Sequence, residues 1–157
     1  MSATHSHENT VPKGALVLAA MLVSISLLLT SAVRVGALDP VPTAAAQRSA
    51  AGTGLVERRS LRFLDRADGA VLIEDAATGE RVAIVGEEGG GFIRGVMRGL
   101  ARERRMYGAG ARPPFELALW EDGALSLTDS VTGRVIELGG FGADNRAAFA
   151  RLLEEPS

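Results

Sequence analysis

The 157-residue sequence contains no cysteine, two histidines, one tryptophan, one tyrosine and a single lysine, Lys13. The missing cysteine removes disulfide frameworks, thiol nucleophiles, thiolate zinc sites and iron–sulfur clusters together. His5 and His7 both lie in the first ten residues. The rest of the chain therefore has neither the usual general base nor the usual nitrogen metal ligand. In a polar tail the two imidazoles are read as solvated, and no catalytic residue, cofactor or metal is assigned. With 17 basic against 19 acidic side chains, a net charge of -2 argues against a globally basic nucleic-acid binder. The length suits about one ordinary domain with a buried core.

Charge is absent altogether from residues 14–33, GALVLAAMLVSISLLLTSAV. At 1.5 Å per helical residue this run spans about 30 Å, the thickness of a bilayer's hydrocarbon. It is read as a transmembrane helix with Lys13 and Arg34 at its two interfaces. Ser24, Ser26, Thr30 and Ser31 can bond back to the helix's own carbonyls or to a neighbouring helix, and the first is preferred. A cleaved secretory signal is the alternative, because Val35-Gly36-Ala37 and Ala44-Ala45-Ala46 resemble cleavage sites. A signal's apolar stretch is usually about 7 to 15 residues long behind a positive start, and this one is longer, behind one lysine. Charge counting leaves the orientation open, with Lys13 on one side and Arg34 and Arg48 on the other.

Residues 34–54 carry two prolines, an alanine run and closely spaced glycines, the composition of a tether. Pro40 and Pro42 oppose a straight continuation of the membrane helix through the alanines. The folded domain is then residues 55–157, and it contains an internal repeat. A shift of 54 positions lays residues 61–82 over 115–136, matching Asp68-Gly69-Ala70 to Asp122-Gly123-Ala124, Asp75 to Asp129 and Thr78-Gly79 to Thr132-Gly133. Each copy alternates apolar and polar residues, turns at Asp-Gly, alternates again, turns at Thr-Gly and ends in a third apolar stretch. A helical segment follows each. The fold class is α+β: a single amino-terminal transmembrane helix and a duplicated β-β-β-α antiparallel domain, with six strands in one or two sheets and two packed helices.

The acidic turns invite other readings. Asp65-Arg66-Ala67-Asp68-Gly69 lacks the ligand spacing and terminal glutamate of a calcium loop. Gly89-Gly90-Gly91 lacks the following Lys-Ser or Lys-Thr of a phosphate loop. A carboxylate enzyme using Glu87-Glu88 or Glu121-Asp122 is the least favoured class, because adjacent residues on a turn rarely oppose two carboxyl groups. The predicted helix after the first meander, GGGFIRGVMRGLARERRMYG, stands out. Phe92, Ile93, Val96, Met97 and Leu100 gather on one side, and Arg94, Arg98, Arg102 and Arg105 on the other. Gly95 and Gly99 fall on the flank between them, a small-xxx-small row continued back to Gly91. Each glycine weakens a helix by roughly 1 kcal/mol relative to alanine, so the row points to close packing or to an accident of composition. The arginine stripe is either a solvated face or a contact for anionic headgroups or an acidic protein surface.

The run from Gly90 to Arg105, with Pro114-Phe115-Glu116-Leu117, Trp120, Thr132-Gly133-Arg134 and Phe141-Gly142, resembles the PuhC family of photosynthetic-complex assembly proteins from purple bacteria. The resemblance covers the whole plan of tail, span, tether and domain. It implies a non-catalytic factor for assembling the reaction centre with its core light-harvesting antenna, in the photosynthetic intracytoplasmic membrane. It also implies a cytoplasmic tail (residues 1–13) and a periplasmic domain, with reaction-centre and core antenna subunits or membrane lipid as partners. No histidine lies in the span to ligate a bacteriochlorophyll, so a pigment-carrying role is not expected. Residues 94, 95, 98, 99, 102 and 105 are the contact candidates. The competing class is a general periplasmic binding or envelope-assembly module, anchored or secreted, unrelated to photosynthesis. Oligomeric state is left open.

Overall fold

The computed structural model describes residues 11–86 and 90–154. His5, His7, Glu87, Glu88 and Gly89 lie outside the described residues. The chain divides into two compact units, one running to Pro42 and the other from Thr43 onward.

The first unit is helix α1, Lys13–Arg34, which is long and apolar enough to cross a membrane and buries none of its side chains within the chain. Its ends fall on the two basic residues that bracket the uncharged run. Among its hydroxyls, Thr30 Oγ1 donates to the Ser26 carbonyl at 2.8 Å, the back-bonding open to a hydroxyl on a helix.

The second unit starts inside the stretch that composition marks as tether. Residues 44–51 form helix α2, Ala44–Ala51, whose first turn is capped by the Thr43 hydroxyl accepting from the Ala46 N–H at 3.2 Å. Pro40 and Pro42 fall in the break between α1 and α2, where a missing N–H interrupts no ladder. Arg48 fastens α2 to the fold. It is 6% exposed, donates to both carboxylate oxygens of Glu137 at 2.6 and 3.0 Å, and lies 4.8 Å from the Trp120 ring centroid. Glu137 raises the pKa of that guanidinium further, chiefly through these hydrogen bonds. The contact that Arg48 makes is a charge pair, not an apolar period, so the periodicity of the sequence contains no sign of it.

Strands β1 (Leu55–Asp65), β2 (Val71–Asp75), β3 (Arg81–Val85), β4 (Phe115–Trp120), β5 (Leu125–Asp129) and β6 (Val135–Glu137) form one antiparallel sheet in the order β3-β2-β1-β4-β5-β6. Of the two arrangements open to the sequence, the single sheet is the one adopted. Long β1 makes this possible, pairing through Leu61–Asp65 with β2 and through Leu55–Leu61 with β4, so that Leu61 meets Asp75 on one side and Phe115 on the other. Helix α3, Gly91–Met106, follows β3, and a short 3₁₀ turn (Leu138–Phe141) leads from β6 into helix α4, Ala143–Ala150.

Alternate residues of the four central strands point one way. Leu61, Phe63, Val71, Ile73, Phe115, Leu117, Leu125 and Leu127 thus make a continuous buried face. Ile93, Met97 and Leu100 of α3, Leu138 of the 3₁₀ turn, and Phe149, Leu152 and Leu153 complete the cluster. On the opposite face, Ala118 and Ser126 are also buried, where Trp120 Nε1 donates to Ser126 Oγ at 2.9 Å and α2 brings in Arg48. The turns match the sequence signals. Asp75-Ala76-Ala77-Thr78-Gly79 and Asp129-Ser130-Val131-Thr132-Gly133 link the second and third strands of each half, with glycine at φ 76° and 70°, a region costly for any residue with a Cβ.

Candidate functional site

Helix α3 is anchored along one edge by Ile93, Met97, Leu100 and Arg104, spaced by four, three and four residues. The apolar stripe therefore ends on a charge. Arg104 is 2% exposed and Asp129 is 0% exposed, so this is a buried ion pair. Its Nε donates to both Asp129 oxygens at 2.9 Å, Nη1 to the Pro113 carbonyl at 2.7 Å and Nη2 to the Pro114 carbonyl at 3.0 Å. The guanidinium carbon sits 3.7 Å from the Phe115 ring centroid. Burial pushes the Asp129 carboxyl upward, but hydrogen bonds from Arg104 and from the Val131 N–H outweigh it and hold the group below the ordinary 3.8.

The matching aspartate of the first half does the same with a different arginine. Arg59 Nε donates to Asp75 at 2.8 Å, and its Nη1 reaches the carbonyls of Leu152 and Glu154 at 3.2 and 2.8 Å. Asp75 also accepts from the Ala77 and Thr78 N–H groups, and its pKa is lowered, first by Arg59. Each Asp-x-x-Thr-Gly turn thus holds an arginine that gathers the carbonyls of a remote segment. Sequence reasoning treated these aspartates as turn residues and assigned no role to Arg59 or Arg104. The spacing 93, 97, 100, 104 was the available signal.

The outward side of α3 carries the predicted residues. Arg94 is half-buried, Arg98, Arg102 and Arg105 are exposed, and none makes an ion pair among the described residues. The helix's one acid, Glu103, is engaged by Arg134 at 3.1 Å and is not paired with the stripe. The four arginines do not border one surface. Arg94, Arg98 and Arg105 rim a cleft of about 450 Å³ floored by Phe63, Val71, Met97 and Phe115. Arg102 borders a separate groove of about 510 Å³ along Gly91, Gly95 and Gly99, walled by Phe92, Val96 and Phe141. A Cβ built on Gly95 or Gly99 meets nothing within 4 Å. The glycine flank is therefore open and does not pack on the domain's own sheet.

This fold can be set beside known proteins. A family described as "Photosynthetic complex reorganisation protein PuhC" matches residues 56–155. The chain belongs to the PuhC family. The match covers all six strands but for Leu55 at the start of β1, with α3, α4 and both aspartate–arginine turns, and leaves α1 and α2 outside it. An "uncharacterized 17.4 kDa protein in puhA 5'region" of Rhodobacter capsulatus is 35% identical over 65 residues, which are 41% of this chain and 40% of the relative. The alignment thus spans less than half of that relative's length. No solved structure matches. The family's description names reorganisation of a photosynthetic complex and no reaction. Of the carboxylates considered for chemistry, Glu121 accepts from the Gly54 N–H at 3.0 Å, just ahead of β1, and Asp122 from the Ala124 N–H at 2.9 Å within its own turn.

Proposed function

We propose that this chain is a membrane-anchored factor for assembling or reorganising the reaction centre with its core light-harvesting antenna, acting by contact and not by catalysis. In this reading α1 spans the photosynthetic intracytoplasmic membrane, the amino-terminal tail is cytoplasmic and the folded unit is periplasmic. The two halves, each with its Asp-x-x-Thr-Gly turn, are taken as an internal duplication. The observation that carries the reading is the division of labour on α3. One edge is locked into the core by Arg104, while Arg94, Arg98, Arg102 and Arg105 lie on the outward side with no ion-pair partner among the described residues. Such a surface suits a pigment-protein subunit's acidic rim or anionic headgroups.

Tethering strengthens any such contact by confining it. Only Val35–Pro42 separate α1 from the folded unit, eight residues instead of about twenty. Fully extended, they reach no more than about 29 Å. Replacing Arg94, Arg98 and Arg102 together by glutamine should lower core-complex yield in phototrophically grown cells. A normal yield with normal protein level sinks the proposal. Intact Met1 or Ser2 in washed membranes supports the anchor, and a new amino terminus near residue 37 or 46 overturns it.

A further inference from the structure

We propose that the cleft beside α3 is a site for one anionic phospholipid, its phosphate held by Arg94, Arg98 and Arg105 and its apolar part lying over Phe63, Val71, Met97 and Phe115. The inference rests on the membrane-anchored reading and deepens it by naming a ligand and a place. Two chemistries meet in the cleft. Its floor is made of aromatic and aliphatic side chains, and its rim carries three guanidinium groups with no ion-pair partner among the described residues. Arg104 also lines it, but its charge is committed to Asp129. A free anion would leave the floor wet, and a purely apolar ligand would leave the rim unused. A molecule with one anionic end and an apolar body satisfies both, and about 450 Å³ lies within the range of small-ligand sites.

Guanidinium groups suit phosphate oxygens because their planar forks donate in pairs. Asp65 is the one acid lining the cleft among the described residues, and its carboxylate can accept from a hydroxyl-bearing headgroup such as glycerol. The short linker is the reason to prefer lipid over an acidic peptide. If α1 is in the bilayer, the eight-residue linker confines the folded unit to the neighbourhood of the membrane, where anionic headgroups are always concentrated, whereas a protein partner must first arrive.

The test uses the full-length chain in nonionic detergent, titrated with dioctanoyl phosphatidylglycerol, with the phosphatidylcholine analogue and inorganic phosphate as comparisons and native mass spectrometry counting bound lipid. One phosphatidylglycerol per chain is expected. Arg94→Gln/Arg98→Gln/Arg105→Gln should weaken it by about tenfold or more, given roughly 1 kcal/mol per basic residue at an anionic surface. Ala101→Phe, which fills the cleft from an exposed helix position and keeps every charge, should weaken it comparably, and Arg81→Gln, at an exposed arginine of β3 outside the cleft lining, should not. Full affinity in Ala101→Phe reduces the effect to diffuse attraction and overturns the site. So does displacement by inorganic phosphate alone, or equal binding of phosphatidylcholine. Unchanged lipid binding in the arginine triple variant, together with lost core-complex yield, overturns the lipid site and leaves a protein partner for the same helix.

Discussion

Replacing Arg104 by methionine keeps most of the side chain's volume and removes its charge, which strands Asp129 at 0% exposure without its counter-ion. Losing one member of a buried pair costs about 3–5 kcal/mol, most of it the penalty of the charge left behind. The Pro113 and Pro114 carbonyls, directly before β4, lose their donors at the same time, although Ser130 Oγ still reaches Pro114 at 2.5 Å. For a domain of about 100 residues each kcal/mol moves Tm by about 4–8 °C, so a fall of roughly 12–40 °C is expected. Trp120 fluorescence is the right readout, because it reports the folded unit and is silent to α1. The pH dependence supplies a second check. Asp129 and Asp75 have lowered pKa values in the fold, so their stabilisation is fully present above the ordinary 3.8 and is lost as pH falls through the lower folded values. In Arg104→Met, burial acts on Asp129 without the arginine, its pKa rises, and protonation relieves the penalty. The gap between variant and parent should therefore be widest near neutrality and narrow as the solution is acidified. A loss below about 1 kcal/mol at neutral pH, or a gap that widens in acid, refutes the reasoning.

Arg48→Ala should release α2 from the sheet at a cost of about 1–3 kcal/mol for the lost charged hydrogen bonds, with a changed Trp120 emission and new proteolysis within residues 44–52. An unchanged emission spectrum would place Arg48 elsewhere in solution. Gly95→Ala and Gly99→Ala should each raise stability by about 0.5–1 kcal/mol, since helix propensity improves and the added methyl meets nothing within 4 Å. If either lowers Tm, the glycine groove is closed in solution.

What the sequence displays and what it conceals follow from the kind of interaction involved. Period-two alternation and Asp-Gly turns are local, and they locate β1, β2, β4 and β5 because one buried face imposes the alternation. The outward placement of Arg98, Arg102 and Arg105 was equally legible, because a helix fixes directions by spacing alone. Arg48, Arg59 and Arg104 were not, since each bonds to a group 89, 16 or 25 positions away and looks like surface charge until the partner is placed. The same blindness assigned Thr43–Gly54 to the tether. Composition there reads as linker, and the buried arginine that helps fold it down finds its acid in β6. The open glycine flank could not be read either, because a small-xxx-small row looks the same whether it is filled from inside or left exposed.

The dominance of arginine over lysine acquires two physical meanings on this fold. Sixteen of the 17 basic side chains are arginine, so the choice at any one position looks uninformative. At 104 it is decisive: the group serves a carboxylate and two carbonyls lying in different directions, which a compact ammonium cannot reach together. Arg104→Lys should thus cost about 1.5–3 kcal/mol despite keeping the charge. At Arg98, exposed and without an ion-pair partner among the described residues, lysine should change stability by less than about 0.5 kcal/mol. Its effect on phosphatidylglycerol affinity then separates two kinds of recognition. A drop of several-fold at constant charge requires forked hydrogen bonding to phosphate, and an unchanged affinity means that the face works by charge alone. Equal thermal losses at 98 and 104 would contradict the assignment of one arginine to the core and the other to the surface.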